Sequence, residues 1–261
     1  MSQAHPTAEQ PNVALRGKSE KTLFWRWIAS IVIPFMGILS KITIMGGDRV
    51  PATGAFVLAP SHFSEIDPLV VGVAMWKVGR MPRFLAKASL FKVPILGAIM
   101  RRTKQVPVER VGTRGADPLA SARTIVDHGL AVIIYPEGTL TRDPDLWPMR
   151  GKLGAVRMAL DADIPLIPLA HWGTQDVLPR YGRLSVFPRK KIVVKFGEPV
   201  DLSRWKGKSN DTASLVAATT VLMNAITALA EELRGETAPA ERWDPAAHQQ
   251  QETGHFRTEQ A

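Results

Sequence analysis

A histidine and an aspartate, His62 and Asp67, stand five positions apart in the proline-bracketed stretch PSHFSEIDP. Positions five apart on an ideal helix point about 140° away from each other, so the two side chains can meet only if the backbone turns between them. The carboxylate would then accept the proton on Nδ1 of the imidazole and leave Nε2 as a base. Taken alone, the stretch equally fits a plain helix start, with His62 as the cap and Asp67 in the first turn.

Two further polar segments follow apolar runs that predict buried strands. Arg110 comes after the run from Gln105 to Val108, and Pro136-Glu137-Gly138-Thr139 comes after the run from Ala131 to Tyr135. The carboxyl ends of parallel strands share one edge of a sheet, so we expect both segments to face the same crevice as His62. A base, an arginine, a carboxylate and a glycine in one crevice suit transfer onto a hydroxyl beside a phosphate.

Short apolar runs alternate with stretches of helical periodicity between residues 42 and 235, which predicts an α/β domain with a mainly parallel sheet flanked by helices. Pro165 and Pro168 fall in the strand-like run from Leu166 to Ala170, which predicts an edge strand or a bulge there. The last helix is predicted to begin after Asp211.

Both ends of the chain have a different composition from this domain. Residues 1–22 and 236–261 are polar and predict disordered tails. Residues 23–41 contain 17 apolar-rich positions interrupted by Arg26 and Pro34, with two tryptophans near the start and lysines on both flanks. This pattern predicts two short helices lying in a membrane interface, and a buried hairpin of the domain is the alternative.

The composition limits the class of protein. The 261 residues suffice for one sizeable α/β domain. A formal net charge of +9 favours an anionic partner such as nucleic acid, a membrane surface or a phosphorylated ligand. No nucleic-acid-binding module is recognisable, so we expect no nucleic acid. The chain has no cysteine, which excludes disulfides, thiolate metal sites and a cysteine nucleophile. No secretory signal is visible, and we expect a peripheral or monotopic protein on the cytoplasmic face of the membrane.

The histidines do not predict a metal site. His62, Glu65 and Asp67 are close in sequence, but the other histidines match no recognised zinc spacing, so no metal is expected. His171 follows an apolar strand and is interpreted as a structural residue. His128 is placed at a helix C-terminus, where positive charge is favoured.

Four blocks in order make the chain resemble the glycerolipid acyltransferase family, which includes the 1-acylglycerol-3-phosphate acyltransferases. The first block is a histidine, four residues and an aspartate, matched by His62 and Asp67. The second ends in an arginine, matched by Arg110, and the fourth is a proline-containing strand. The third, Phe-Pro-Glu-Gly-Thr-Arg-Ser in the family, resembles Tyr-Pro-Glu-Gly-Thr-Leu-Thr at 135–141. The similarity covers about residues 42–200.

Two positions depart from the family pattern. Ser61 stands where the family usually has asparagine. Leu140 replaces the arginine of the third block, which removes a cation that would face the acceptor phosphate, and Arg142 is a candidate substitute.

The resemblance implies a fold like that of glycerol-3-phosphate acyltransferase, with no cofactor beyond the acyl donor. It implies transfer of a fatty acyl group from acyl-CoA or acyl carrier protein to the free hydroxyl of 1-acylglycerol 3-phosphate, giving phosphatidic acid in phospholipid biosynthesis. His62 would take the proton of the attacking hydroxyl, and Asp67 would stabilise the imidazolium. No acyl-enzyme is needed.

The remaining site residues would bind the lysophospholipid acceptor and the acyl donor. Arg110 would hold the acceptor phosphate through its planar fork. Glu137 would accept a hydrogen bond from a glycerol hydroxyl, with Gly138 and Thr139 beside it and Gly138 allowing close approach of the backbone. Lys87, at a strand end, is a further candidate for an anionic group.

Two other functions remain open at this point. A close variant acylates glycerol 3-phosphate or another lysophospholipid. A non-catalytic protein that binds anionic lipids would explain the positive charge and the apolar N-terminal segment, but not three polar motifs at strand ends.

Because Leu140 cannot bind a phosphate, we predict that Arg110→Ala lowers kcat/KM for the phosphorylated acceptor by roughly ten- to a hundredfold, since a charge-assisted hydrogen bond is worth about 1.5–3 kcal/mol. The KM for acyl-CoA should change much less, and Arg110→Lys should recover only part of the loss. Steady-state kinetics of both variants, with Arg142→Ala beside them, check this. Equal, small effects of Arg110→Ala and Arg142→Ala would contradict it and direct attention to Lys87.

Overall fold

The computed structural model describes residues 21–87, 91–103, 105–108 and 124–251. The helices are α1 (Leu23–Leu39), α2 (Asp67–Lys77), α3 (Pro94–Arg102), α4 (Gly154–Ala162), α5 (Thr174–Val177) and α6 (Thr212–Arg234). The strands are β1 (Ser40–Met45), β2 (Phe56–Pro60), β3 (Leu85–Lys87), β4 (Val106–Val108), β5 (Ala131–Ile133), β6 (Leu166–Trp172) and β7 (Lys190–Phe196).

Five strands form one sheet in the order β1-β7-β6-β2-β5, and only the β6–β7 pair is antiparallel. The parallel pair β3–β4 adjoins β5 through a single bridge between Phe84 and Ile133. The prediction of a mainly parallel sheet flanked by helices is confirmed. β2 and β5 are neighbours and run in the same direction, so the segments that follow them, which carry His62 and Glu137, leave the sheet at the same edge.

The prediction that its prolines confine β6 to an edge or a bulge is wrong, because β6 lies between β2 and β7. Its pairing with β7 starts at Leu169, opposite Phe196. At the next position the N–H of Gly197 donates to the carbonyl of Pro168 at 2.9 Å. Pro168 has no N–H and cannot donate a hydrogen bond back to β7. Pro168 therefore marks the end of a ladder inside the sheet.

The N-terminal apolar segment is one continuous helix and not the two short helices expected. Pro34 lies inside α1 on its exposed side, where the carbonyl that loses its partner can bond to water. The opposite face packs against α2 and the core through Trp25, Met36 and Leu39. β1 then begins at Ser40, two residues before the predicted start of the domain.

A buried arginine fixes the other end of the two strands that lead to the site. Arg80 donates to the carbonyl oxygens of Pro51 at 2.6 Å, Gly54 at 2.7 Å and Gly129 at 2.9 Å, and its guanidinium lies over the ring of Phe56. Those carbonyls lie just before β2 and β5. One cation therefore ties together the starts of both strands, so that their far ends emerge in a fixed relation.

Helix α6 is the one helix within the described residues that is long and apolar enough to cross a membrane by length and composition. It packs instead on β6 and α4, with Leu215, Leu222 and Ile226 fully buried. Asp211 caps its start by accepting from the N–H of Ser214 at 3.0 Å. Its composition is therefore that of a core helix.

Residues 236–251, which the sequence placed in a disordered tail, lie against the domain, and we call them the C-terminal arm. The N–H of Arg150 donates to the carbonyl of Trp243 at 2.9 Å, and the ring of Trp243 stacks on His248 at 3.6 Å between centroids. These contacts hold a polar segment whose composition alone indicates disorder. The predicted tails at 1–20 and 252–261 lie outside the described residues.

Candidate active site

The structure brings His62 and Asp67 together at the end of β2. His62 lies on the loop after the strand, and Asp67 is the first residue of α2, followed by Pro68. Nδ1 of His62 is 3.0 Å from Oδ2 of Asp67, so the backbone does turn between them. No described residue forms a hydrogen bond with Nε2 of His62, whose side chain is 16% exposed.

The Asp67 carboxylate is fully buried and bound to its own loop. Oδ2 also accepts from the backbone N–H groups of Phe63 and Ser64, both at 2.8 Å. Burial raises the pKa of Asp67, but the neighbouring His171 and the hydrogen bond from His62 outweigh burial and hold that pKa below its usual range. Asp67 is therefore an anion at neutral pH. It holds the proton on Nδ1 of His62 and leaves Nε2 as the basic nitrogen.

A second histidine approaches the same carboxylate. His171, which we interpreted as a structural strand residue, is buried on β6 with Nε2 3.1 Å from the carbonyl of Ser61 and 3.6 Å from Oδ2 of Asp67. A carbonyl can only accept, so Nε2 carries the proton. Burial lowers the pKa of His171, which keeps it neutral. Its N–H therefore points a dipole at Asp67 and fixes the strand-end carbonyl before His62.

Tyr135 covers one face of the imidazole. Its ring lies 4.0 Å from that of His62 with an interplanar angle of 26°, and on the same run of aromatic rings Phe84 stacks on Tyr135 at 6.4 Å. Phe84 in turn lines an apolar groove of about 140 Å³ between α1 and α2. A continuous row of rings thus connects the histidine to an apolar surface.

The structure gives Glu137 a role different from the one predicted. Its side chain is fully buried, Oε1 accepts from the N–H of His62 at 3.0 Å, and Oε2 accepts from the N–H of Met149 at 3.0 Å. The N–H of Thr141 returns a bond to the carbonyl of His62 at 2.7 Å. The carboxylate that we expected to bind a glycerol hydroxyl instead joins the His62 loop to the segment from 137 to 149.

Burial raises the pKa of Glu137 to about 8, against the opposing effect of the two backbone donors. Glu137 is thus mostly protonated at neutral pH. Gly138 follows with a φ of +70°, a conformation that disfavours a side chain, and Thr139 lies half-buried in the same turn.

Arg110, Arg142 and Lys87 are the predicted phosphate-binding cations. Arg142 is only 4% exposed and donates to the hydroxyl of Tyr181 and, at 3.3 Å, to the carbonyl of Gln251 in the C-terminal arm. The backbone of Lys87 ends β3 beside β4. Arg110 lies outside the described residues, so its role stays a prediction.

Sequence reasoning missed Arg180, which fastens the loop after the third motif. Its Nη1 donates to the carbonyls of Thr141 and, at 2.9 Å, of Asp143. Burial lowers the pKa of this arginine. No motif surrounds it in the sequence. Tyr135, by contrast, lies inside the third motif, and that position is a signal that its ring lies near His62.

Among the described residues, no group of three or more His, Cys, Asp or Glu side chains is placed to hold a metal ion. The groups gathered at the histidine loop are an imidazole, a carboxylate and the surrounding backbone.

The comparisons with known proteins point to one family. The sequence model of the acyltransferase family matches residues 41–172, half of the chain, and the chain belongs to that family. It is 27% identical over 185 residues to the chloroplastic 1-acyl-sn-glycerol-3-phosphate acyltransferase BAT2 of Brassica napus, covering 67% of this chain but 50% of that protein. It is 26% identical over 179 residues to the 1-acyl-sn-glycerol-3-phosphate acyltransferase of Bacillus subtilis, covering 67% and 82%. The chain thus spans about half the length of the first of these relatives.

The fold has a solved counterpart. The 1-acyl-sn-glycerophosphate acyltransferase PlsC of Thermotoga maritima superposes with a TM-score of 0.59 at 21% identity, covering 84% of this chain and 83% of that one. This likeness supports the predicted fold, in which a sheet flanked by helices carries the histidine loop.

The raised pKa of Glu137 predicts a pH-dependent stability. The folded chain holds a proton on Glu137 that the unfolded chain releases above about pH 4.5, so this stabilisation is complete below that pH and is lost as the pH rises through about 8. Urea unfolding should show the free energy of unfolding falling over this range, with a limiting slope of about 1.4 kcal/mol per pH unit.

Glu137→Gln is the matched control, because glutamine has nearly the same shape and does not titrate. Its unfolding free energy should be lower at pH 5, as one backbone N–H loses its acceptor, but should vary less with pH. Parallel curves for the two proteins would contradict the assignment of the proton to Glu137.

Proposed function

We propose that this protein is a 1-acylglycerol-3-phosphate O-acyltransferase that transfers a fatty acyl group from a thioester to the free hydroxyl of a lysophospholipid. The observation that carries the proposal is the bond of 3.0 Å between Nδ1 of His62 and a buried, ionised Asp67, which leaves Nε2 as a base at the edge of the sheet. The family match and the relatives' names agree with it.

The reaction needs one proton carrier. Nε2 of His62 removes the proton from the acceptor hydroxyl as its oxygen attacks the thioester carbonyl. The carbon–oxygen bond forms, the carbon–sulfur bond breaks, and the imidazolium returns the proton to the departing thiolate. The negative charge of Asp67 stabilises the imidazolium between these steps. Acyl-CoA and acyl carrier protein both suit a chain of net charge +9, since one carries phosphates and the other is acidic.

The apolar groove between α1 and α2 supports a lipid substrate. Its lining is almost entirely apolar, from Trp25 and Ile33 on α1 to Leu69 and Trp76 on α2. Phe84 lines the groove and stacks on Tyr135, which stacks on His62. An acyl chain in this groove would lie at the far end of the row of rings that begins at the imidazole.

An exposed apolar surface supports attachment to a membrane. One face of α1, within about 120° of arc, exposes large apolar side chains at positions 23, 27, 31, 35 and 38. Arg102 at the end of α3 lies over the ring of Phe24, so α3 adjoins α1, and Ile95 and Ile99 of α3 are also exposed. The two helices present one apolar patch with basic residues at its border, the composition of a peripheral membrane surface. We still predict that the protein attaches to the cytoplasmic face of the membrane.

A non-catalytic lipid-binding protein is the second candidate, favoured by that same apolar patch. A protein of this kind needs neither the hydrogen bond between Nδ1 of His62 and Asp67 nor an ionised Asp67. Thiol release from acyl-CoA in the presence of lysophosphatidic acid separates the two, because only the enzyme releases thiol.

We predict that His62→Ala lowers kcat by about 10²–10⁴-fold while the fold is retained, because general-base catalysis typically contributes that much. Asp67→Asn should also lower kcat strongly, since an amide in place of the carboxylate no longer fixes the orientation of the imidazole. The measurement is thiol release, with circular dichroism as the control for folding. A wild-type rate in His62→Ala would refute the mechanism.

Membrane attachment is tested by surface substitutions and not by removing α1, whose other face is part of the core. Replacing Trp27 and Ile31 together by serine should weaken co-sedimentation with anionic vesicles by at least about tenfold, since burying one large apolar side chain is worth about 1.5–3 kcal/mol. Val216→Ser, on the exposed side of α6, is the matched control. Unchanged sedimentation of the folded double variant would contradict the prediction.

A further inference from the structure

A cavity of about 450 Å³ lies between the start of α4, the first half of α6 and the C-terminal arm, on the side of Glu137 that bonds to Met149. We propose that this cavity binds the phosphate group of a small phosphate ester. Its size is in the range of small-molecule sites. His62 is not among the residues that line the cavity, and the proposal does not rest on the proposed reaction.

The lining carries an excess of positive charge. Arg150, Lys152 and Arg242 line the cavity, and of its two acidic residues Asp244 is already paired with Arg150 at 3.3 Å. The other, Glu137, is mostly protonated at neutral pH because burial raises its pKa to about 8. Lys152 is exposed, and its chain runs along Gly138, where an added Cβ would be 3.3 Å from Nζ. An anion therefore meets cations that the local carboxylates do not neutralise.

The start of α4 lies beside the cavity. Its N-cap, Leu153, lines the cavity and makes no side-chain capping bond, so the first N–H groups of the helix lack the acceptor that a Ser or Asp cap would supply. Helix N-termini of this kind favour phosphate through both their N–H groups and the helix dipole.

Thr219 is an independent sign of a ligand. It is 4% exposed, lines the cavity from α6, and its Oγ1 has no hydrogen-bond partner among the described residues. Two other threonines of α6 donate to the carbonyl four residues earlier, Thr220 to Val216 at 3.0 Å and Thr227 to Met223 at 2.8 Å. Thr219 does not use this local bond.

Arg242 is likewise incompletely bonded. Its Nη2 donates to Oδ1 of Asn224 at 2.8 Å, but its buried Nε finds no partner among the residues that the structure describes. A buried donor without a partner is costly, and a phosphate oxygen accepts from hydroxyl, guanidinium and ammonium alike. A phosphate in the cavity would be compensated by these cations, whereas a neutral polyol leaves them uncompensated.

The test is calorimetric titration of the full-length protein in detergent with inorganic phosphate, with glycerol 3-phosphate and with glycerol. We expect both phosphates, or glycerol 3-phosphate alone, to bind, and glycerol not to bind. Binding of both identifies the phosphate group as sufficient; binding of the ester alone adds its glycerol part to the recognition. Absence of binding by both phosphates at millimolar concentration would overturn the proposal.

Three variants locate the bound phosphate. Lys152→Met should raise Kd by about tenfold or more and Thr219→Val by about threefold or more, whereas Lys206→Met, which removes an exposed lysine elsewhere, should leave Kd unchanged. The unliganded Tm of each variant shows that the fold is retained. Loss of binding in Arg110→Ala with normal binding in Lys152→Met would place the phosphate at the acceptor site and overturn the proposal, while leaving the proposed acyl transfer intact.

Discussion

The carboxylate of Asp67 is the constraint on which the site depends. A fully buried anion is costly unless hydrogen bonds replace its water, and here Oδ2 receives them from the backbone of Phe63 and Ser64 and from Nδ1 of His62. All three donors belong to the same short loop, so the loop must fold back over the first turn of α2. The bonds that stabilise the anion are thus the ones that orient the imidazole and determine which nitrogen is the base.

A second buried carboxyl group, Glu137, holds that loop from the other side, but it is neutral where Asp67 is ionised. Asp67 has two imidazoles beside it and stays ionised, whereas Glu137 has backbone donors in its first contacts and gains a proton through burial. Because its two oxygens bond to His62 and Met149, Glu137 holds the histidine loop against the segment after β5. The third sequence motif therefore fixes the position of His62.

The sequence predicted those features that depend on local spacing. The prolines around His62 and the apolar runs before each polar segment were sufficient for the turn, the parallel strands and the shared edge. It did not predict contacts between distant residues. His171, expected to be a structural strand residue, bonds to Ser61 across 110 positions of the chain, and Pro168 lies inside the sheet because the ladder ends there. The C-terminal arm is ordered by contacts with Arg150 that no local composition reveals.

The net charge of +9 overstates the cations available to an anionic substrate. Arg80 serves three carbonyls at the base of the sheet, Arg180 serves two beside the third motif, and Arg142 is buried against Tyr181. Each of these arginines satisfies backbone or side-chain groups that burial would otherwise leave without partners. The position where the family carries an arginine holds Leu140, which is 8% exposed and packed in the interior. We therefore expect recognition of phosphate by this chain to depend on cations outside the third motif. The net charge of a basic protein indicates a phosphate site only after the arginines with structural roles have been excluded.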